Sequence, residues 1–290
     1  MKKTITLIVL ISFLIGCKPD LDYKISGYSQ KIIVEGFIEN GKFPKVYLSL
    51  NVPLSEKMDT DSIQKYIVSR AKVTVSDNIN SLAIGAKTEI LTASWDNKQF
   101  PPHSYFGTEF KGEEGETYYL TVDYGGYSLH AITTIPVTTN IADFKTTAIN
   151  DSMRVLSIIL DIDSKLKNSY RVYTKKQIDG FYQQTPILFN ANLSLSGKKE
   201  FNISPLPNKK DASFSEGSYF KKGDLIQIKL CTIDSVSTDF FKELTIFSTT
   251  SGIGNDMFIG EKDALKSNIS SPGFGIWYGS AITNQSYIIP

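Results

Sequence analysis

The stretch Thr117–Thr134, TYYLTVDYGGYSLHAITT, decides the fold class of this chain. Its two runs, Thr117–Tyr124 and Tyr127–Thr134, are rich in the β-branched and aromatic residues that favour strands. The pair Gly125-Gly126 joins them, and two glycines in this position form a tight turn. The stretch therefore predicts an antiparallel hairpin.

The residues before this hairpin repeat the same pattern of short strands and turns. Asn40-Gly41 is the strongest two-residue hairpin signal, and Pro53–Gln64 is polar and predicts a loop. Pro136 ends the unit, because proline interrupts a ladder of hydrogen bonds. Residues 28–138 are therefore predicted to form an immunoglobulin-like sandwich. Its other strands are expected at Lys31–Ile38, Lys45–Leu50, Ala71–Asp77 and Glu89–Trp95.

Residues 139–290 continue the β pattern and predict a second sandwich, of the fibronectin-III type. Strands are expected at Arg154–Ile162, Ser169–Lys175, Ile187–Leu195 and Leu225–Thr232, and a final hairpin at Phe274–Ile289. The period changes once, between residues 235 and 248. There Val236, Phe240, Phe241, Leu244 and Phe247 recur at spacings of three to four, which predicts an amphipathic helix capped by Asp234 or Ser235.

The first residues predict where the protein is located. Lys2 and Lys3 precede the apolar run Ile5–Ile15, which is too short to span a bilayer core of roughly 30 Å as a permanent helix. The run closes with Leu14-Ile15-Gly16-Cys17, which resembles the bacterial lipobox. We predict a signal peptide at 1–16, acyl chains (palmitate among them) on Cys17, and a tether at 17–27. The alternatives are an uncleaved transmembrane anchor and a signal whose cysteine lies there by chance.

Composition limits the classes of function. Hydrophobic residues make up 41% of the chain, enough for real cores. Of 31 basic residues, loss of Lys2 and Lys3 leaves 29 against 30 acidic ones, so there is no basic field for nucleic acid. Once Cys17 is acylated, Cys231 is the only other cysteine, and its apolar surroundings predict a buried strand residue.

Several stretches together resemble one family of Bacteroidetes lipoproteins, the domain of unknown function DUF4249. They are Ile33–Gly41, Ala71–Asp77, Gly112-x-x-Gly115-x-Thr117-Tyr118-x-Leu120-x-Val122, Ile228–Leu244, Ser267–Ile269 and Gly273–Gly275. The resemblance covers nearly all of the chain after the signal. It implies an outer-membrane lipoprotein, often encoded beside a TonB-dependent transporter. It implies no active site.

The two histidines do not form part of a catalytic motif. His130 alternates between Leu129 and Ala131 within a predicted strand. His103 lies in Phe100–Phe106, where two prolines stiffen a segment that also holds Tyr105. We interpret this segment as a candidate binding loop of Phe100, His103, Tyr105 and Phe106; the alternatives are an ordinary turn histidine and a loop folded over its own core. No Gly-x-Ser-x-Gly elbow accompanies either histidine.

Acidic pairs and short modification patterns give weaker signals. Asp161/Asp163 and Asp59/Asp61 each offer two oxygen ligands but lack the rest of a calcium loop, so no metal or cofactor is expected. Glu113, Glu114 and Glu116 are interpreted as solvated turn charges. The pattern Asp-Ser-apolar, which resembles a bacterial O-glycosylation signal, occurs at Ser62, Ser152 and Ser235.

The sequence thus leads us to expect a non-enzymatic accessory or binding subunit, lipid-anchored in the outer membrane and exposed at the cell surface. Its expected partner is a TonB-dependent transporter. The alternative is a free-standing adhesin or glycan-binding module. An enzyme ranks third, because only carboxylates could supply its chemistry.

Overall fold

The computed structural model describes residues 29–52, 60–96, 101–166, 168–177, 183–190, 197–203, 219–250 and 266–290. The elements are β1 (Ile32–Glu39), β2 (Lys45–Leu50), α1 (Thr60–Lys65), β3 (Lys72–Ser76), β4 (Thr88–Ile90), β5 (Thr92–Trp95), β6 (His103–Phe106), β7 (Thr117–Tyr124), β8 (Tyr127–Thr134), β9 (Ile141–Ala148), β10 (Met153–Ile162), a 3-10 turn (Ser164–Leu166), β11 (Ser169–Lys176), β12 (Gln183–Asn190), β13 (Gly197–Ile203), β14 (Phe220–Lys221), β15 (Leu225–Ile233), α2 (Ser235–Thr250) and β16 (Phe274–Ile288). The prediction of a mainly antiparallel all-β protein is confirmed.

One large sheet runs through both halves of the chain. Its eight strands lie in the order β12-β11-β15-β16-β1-β2-β6-β5. A second sheet, β4-β3-β7-β8, comes from the first half alone, and a third joins β10 to β9, β13 and β14. The hairpin predicted at Thr117–Thr134 is β7–β8, and Gly125 and Gly126 at its turn both have positive φ.

Each small sheet packs against the same face of the large one. Val34, Ile38 and Trp277 of the large sheet join a core with residues of β3, β7 and β8, such as Val73. A second core places Ile228 of the large sheet with residues of β10 and β13. Two sandwiches therefore share one continuous sheet, and the opposite face of that sheet remains available for other elements.

The last strand crosses the expected boundary between the halves. Phe274–Ser280 pairs in parallel with β1, and Ser280–Ile288 pairs antiparallel with β15. The hairpin predicted at Phe274–Ile289 is therefore wrong, because β16 finds partners in two existing strands and does not fold back on itself. Gly275 permits the parallel contact: its φ is +130°, and a Cβ there would lie 1.9 Å from the carbonyl oxygen of Val34.

The predicted C-terminal helix is present as α2, and its cap is Asp234. The side-chain oxygen of Asp234 accepts a hydrogen bond of 2.7 Å from the amide of Ser237. Phe240 and Phe241 are buried as expected, in a small core with Ile233 and Ile276. Val236 and Leu244 are 46% and 40% exposed, so the buried face is narrower than the apolar spacing predicted.

Two other local predictions differ from the structure. The strand predicted at Glu89–Trp95 is divided between β4 and β5, which belong to different sheets. The polar loop predicted at Pro53–Gln64 contains the short helix α1, while residues 53–59 lie outside the described part. Both differences arise where a short chain segment passes from one layer to another.

Candidate ligand-binding site

The face of the large sheet that the two small sheets leave uncovered, called the outer face below, carries a cavity. The cavity lies where the two halves of the chain meet. Side chains alternate between the two faces of a strand, so each strand contributes every second residue. Helix α2 borders the cavity through Phe241, whose ring meets that of Tyr278 at 89° and 5.1 Å between centroids. The cavity has a volume of about 280 Å³ and is lined by Phe37 and Glu39 of β1, Arg171 and Tyr173 of β11, Lys229, Cys231 and Ile233 of β15, and Tyr278 and Ser280 of β16.

A wider groove continues from this cavity along β1 and β2. It has a volume of about 560 Å³ and shares Phe37, Glu39 and Lys229 with the cavity. Three further lysines, Lys42, Lys45 and Lys111, line it together with Gly41 and Phe43. The cavity and the groove thus form one continuous basic and aromatic surface.

Aromatic rings hold the cations of the cavity in place. The guanidinium carbon of Arg171 lies 3.6 Å from the centroid of the Phe241 ring and 5.3 Å from that of Tyr173. The ammonium of Lys229 lies 5.8 Å from the Tyr173 centroid. Cations over ring faces are attracted by the quadrupole of the ring, and the contact also restricts how the guanidinium plane turns.

The two carboxylates on this face of β1 differ in their ion pairs. Glu39 is buried and binds Lys229 at 2.6 Å and Lys42 at 3.1 Å. Glu35 stands four residues earlier on the same face of β1; it is exposed and is not among the residues that line the cavity or the groove. The protein atoms around its carboxyl group partly desolvate it and raise its pKa, and the positive charge of Arg171 partly offsets this rise.

The remaining titratable groups of the cavity stay neutral. Burial raises the pKa of the Tyr173 phenol to about 12 and that of the Cys231 thiol to about 12. It raises the pKa of Tyr278 well above the ordinary value for tyrosine. Tyr173 and Tyr278 both line the cavity. Such a pKa keeps the Cys231 thiol protonated at neutral pH, and the thiol is buried in β15, so the prediction of a buried strand residue is confirmed.

The two carboxylates nearest the cavity lie far apart along β1. Four residues along a strand separate the Cα atoms of Glu35 and Glu39 by about 13 Å. Paired carboxylates in glycoside hydrolases lie about 5–10 Å apart. Within the described ranges, no three of the His, Cys, Asp and Glu side chains form a group that could hold a metal ion.

The segment predicted to be a binding loop is mostly a strand. Phe100 lies outside the described residues, but His103–Phe106 forms β6 between β2 and β5. Tyr105 is 1% exposed, and its hydroxyl donates to the carbonyl of Val68 and accepts from the amide of Ala71. His103 is buried beside Trp95 and Tyr105, while Phe106 is half-buried. The prediction of a loop is wrong for His103–Phe106, because pairing with β2 and β5 makes these residues a strand. That they bind a partner stays a prediction.

His130 lies apart from the cavity, on an exposed position of β8. Its ring nitrogen is 3.3 Å from the hydroxyl of Thr121, and its backbone pairs with Ser270. An open depression of about 500 Å³ lies beside it. The two histidines stand on different sheets, and no site brings them together.

The other predicted positions fall into three groups. Cys17 and Asp59 lie outside the described residues. Ser62 lies in α1, and Ser152 and Ser235 are exposed, so their modification stays a prediction. Asp161 and Asp163 are also exposed, at the end of β10.

Glu114 is exposed, as the sequence predicted, but its carboxylate also has specific hydrogen-bond partners. It accepts hydrogen bonds from the side chain of Asn40 and from the amide and hydroxyl of Thr138. Burial tends to raise the pKa of Glu114, but these hydrogen bonds outweigh it and leave the pKa lowered. The carboxylate therefore fastens the end of β1 to the segment that leads into the second half.

Sequence reasoning missed the residues of the cavity. The signals were present: Ser169–Lys175 alternates aromatic and basic residues, and Glu35, Phe37 and Glu39 alternate along β1. Neither pattern indicates that β1 and β11 share a sheet, because the two strands are far apart in the chain and meet only through β15 and β16.

Comparisons with known proteins add a family but no activity. A segment of chicken tenascin with two fibronectin type-III domains aligns with 70% of this chain and 90% of its own, at 11% identity and a TM-score of 0.22, too low to support an argument. No curated protein matches the sequence. Among the described residues, no helix has the length and apolar character needed to cross a membrane. The profile of the domain of unknown function DUF4249 matches residues 18–286, and the chain belongs to that family.

Proposed function

We propose that this protein is an outer-membrane lipoprotein that binds a ligand without transforming it, as an accessory subunit of a TonB-dependent transporter. The observation that carries the proposal is the cavity on the shared sheet, whose described lining combines aromatic walls with cations held over aromatic rings. The lipobox at Cys17 supports the location. The resemblance to lipoproteins encoded beside transporters supports the partner.

The alternative is a free-standing adhesin or glycan-binding module. One observation favours it: the connection between β3 and β4 presents Ile79, Leu82 and Ile84 with 82%, 91% and 107% of their side-chain surface exposed. Three exposed apolar side chains on one short connection are typical of a contact surface.

A pull-down from outer membranes tests both proposals. The chain with a C-terminal tag is solubilised in mild detergent, and co-purifying proteins are identified by mass spectrometry. We expect enrichment of a TonB-dependent transporter with the wild-type chain and loss of it with Cys17→Ser, which cannot be acylated and should leave the membrane fraction. A wild-type chain that retains its membrane location but enriches no transporter would support the alternative.

A further inference from the structure

The guanidinium of Arg171 has unused hydrogen-bonding capacity. Its guanidinium carbon lies 3.6 Å from the Phe241 centroid, and the group carries five N–H donors. In the described part of the chain no hydrogen bond and no ion pair within 4.0 Å uses any of them, and Glu35 acts on Arg171 only at longer range. Five donors in a fixed plane match the two oxygens of a carboxylate.

The charge of the cavity lining favours a ligand with one negative charge. Lys229 is already paired with Glu39 at 2.6 Å, so these two groups compensate each other. Arg171 is then the charge without a direct partner among the residues that line the cavity. A single carboxylate balances it.

The approach to the cavity is also basic. Lys42, Lys45 and Lys111 line the wider groove, in which Glu39 is the one carboxylate among the lining residues. Lys111 is exposed, with its ammonium 5.3 Å from the Phe43 centroid. Like charges along a groove raise the local concentration of an oppositely charged ligand.

The size and the lining of the cavity indicate the size and the polarity of the rest of the ligand. A volume of about 280 Å³ lies at the lower end of the range for small-molecule sites, so it accommodates one ring-sized group. Phe37 and Tyr278 form a wall with ring centroids 5.8 Å apart, and Ile233 and the neutral Cys231 thiol extend it. These side chains offer apolar contact and few partners for sugar hydroxyls.

We propose that this cavity binds a small organic carboxylate whose remainder is apolar, with the carboxylate on Arg171 and the apolar group against Phe37, Tyr173 and Tyr278. The assignment rests on the proposed binding function and names its ligand. Two sources share this chemistry: the C-terminal residue of a peptide, and a free aryl-alkyl acid.

Calorimetric titration of the full acylated chain in detergent tests the assignment. The probes are 3-phenylpropanoate and 3-phenylpropanamide, which differ in charge but share the ring, and D-glucuronate as a polar carboxylate. Charge-assisted hydrogen bonds are roughly twice as strong as neutral ones, so we expect the acid to bind at least about tenfold more tightly than the amide. Glucuronate should bind more weakly than 3-phenylpropanoate.

Two variants locate the site. Arg171→Gln should reduce the preference for acid over amide to less than about threefold, because it removes both the positive charge and the paired N–H donors of the guanidinium group. Lys175→Gln, a change of the same kind on the same strand outside the cavity lining, should retain the wild-type preference. The wild-type comparison of acid with amide decides the proposal even if Arg171→Gln does not fold.

A third probe separates the two sources. If acetyl-Ala-Ala-Phe binds at least about tenfold more tightly than 3-phenylpropanoate, the ligand is a peptide C-terminus whose chain lies in the groove. Equal affinities indicate a free acid. The assignment is overturned if acid and amide bind equally, if glucuronate binds more tightly than 3-phenylpropanoate, or if no acid binds up to about 10 mM, the range of very weak affinity. Carboxylate binding without an enriched transporter would reject the accessory role alone.

Discussion

Single side chains at the junction of the layers connect strands that the sequence keeps far apart. The indole of Trp277 is fully buried and donates to the carbonyl of Tyr118, which links β16 to β7. Asn268 accepts from the amide of Trp277 and donates to its carbonyl. The stretch Ser267–Ile269, one of those that carry the family resemblance, therefore has a structural role in this chain.

Tyr105 offers a test of one such contact. Tyr105→Phe removes a buried hydroxyl and leaves the amide of Ala71 and the carbonyl of Val68 without their partner. An unsatisfied buried polar group costs about 1–3 kcal/mol, so the free energy of unfolding should fall by about that amount. Urea denaturation measures it, and Tyr127→Phe, at a side chain 55% exposed, is the matched control. Equal stability of the two variants would contradict the structure at β6.

His103 should make stability depend on pH. Burial lowers its pKa, and its buried Nδ1 has no hydrogen-bond partner in the part of the chain that the structure describes. A group with a lowered folded-state pKa binds its proton more readily when unfolded, so its stabilisation is complete above the unfolded pKa of about 6.5 and decreases as the pH falls below it.

The comparison of two histidine variants isolates this effect. Between about pH 7.5 and pH 5.5, the range in which histidine titrates, the wild-type chain should lose more stability than His103→Gln. The exposed His130→Gln should follow the wild type. Parallel curves for wild type and His103→Gln, measured by urea denaturation, would reject the effect.

At the scale of elements, the sequence predicted correctly those features that depend only on neighbouring residues in the chain. The cap could be narrowed to Asp234 or Ser235 because a capping side chain needs only the first amides of the following helix, and the structure selects Asp234. The glycine pair at 125 and 126 was identified as a turn because its backbone preference depends on no distant contact. β6 was missed because its pairing with β2 and β5, and not the composition of residues 100–106, makes it a strand.

Helix α2 provides the element-scale prediction. Phe240 and Phe241 are 7% and 8% exposed and pack on the outer face of the large sheet. Truncating a buried Phe to Ala typically costs about 3–5 kcal/mol, so either variant should markedly lower the thermal midpoint of the chain. Leu244→Ala, at a side chain 40% exposed on the same helix, should change it far less. Unchanged midpoints for both Phe variants would show that α2 does not stabilise the fold.

At the scale of the whole molecule, the shared sheet explains why sequence patterns located the strands but not the site. Each strand carries its own alternation, but the partners of β1 include a strand more than two hundred residues away. The cavity draws Glu39 from the first half and Arg171 from the second, so it exists only when both halves are assembled. Long-range pairing of this kind leaves no trace in a local pattern.

The same sheet predicts that residues 29–138 do not fold alone. Their core lacks Trp277, Ala281 and Ile269, which come from the C-terminal end of the chain, and β1 loses its parallel partner. Loss of one large buried side chain costs about 3–5 kcal/mol, against a total stability of about 5–15 kcal/mol for a typical domain. We therefore expect poor amide dispersion in NMR spectra and no cooperative unfolding.

Restoring the missing strand should restore the fold. Residues 29–138 joined to residues 266–290 by a flexible Gly/Ser linker regain β16 and the three core side chains, and should unfold cooperatively with well-dispersed spectra. A linker of equal length carrying residues 266–290 with Trp277→Ala is the control, and it should fold poorly because its core is left with a large cavity. If residues 29–138 already fold by themselves, β16 is an addition to a complete sandwich, and the boundary near residue 138 that the sequence predicted is the physical one.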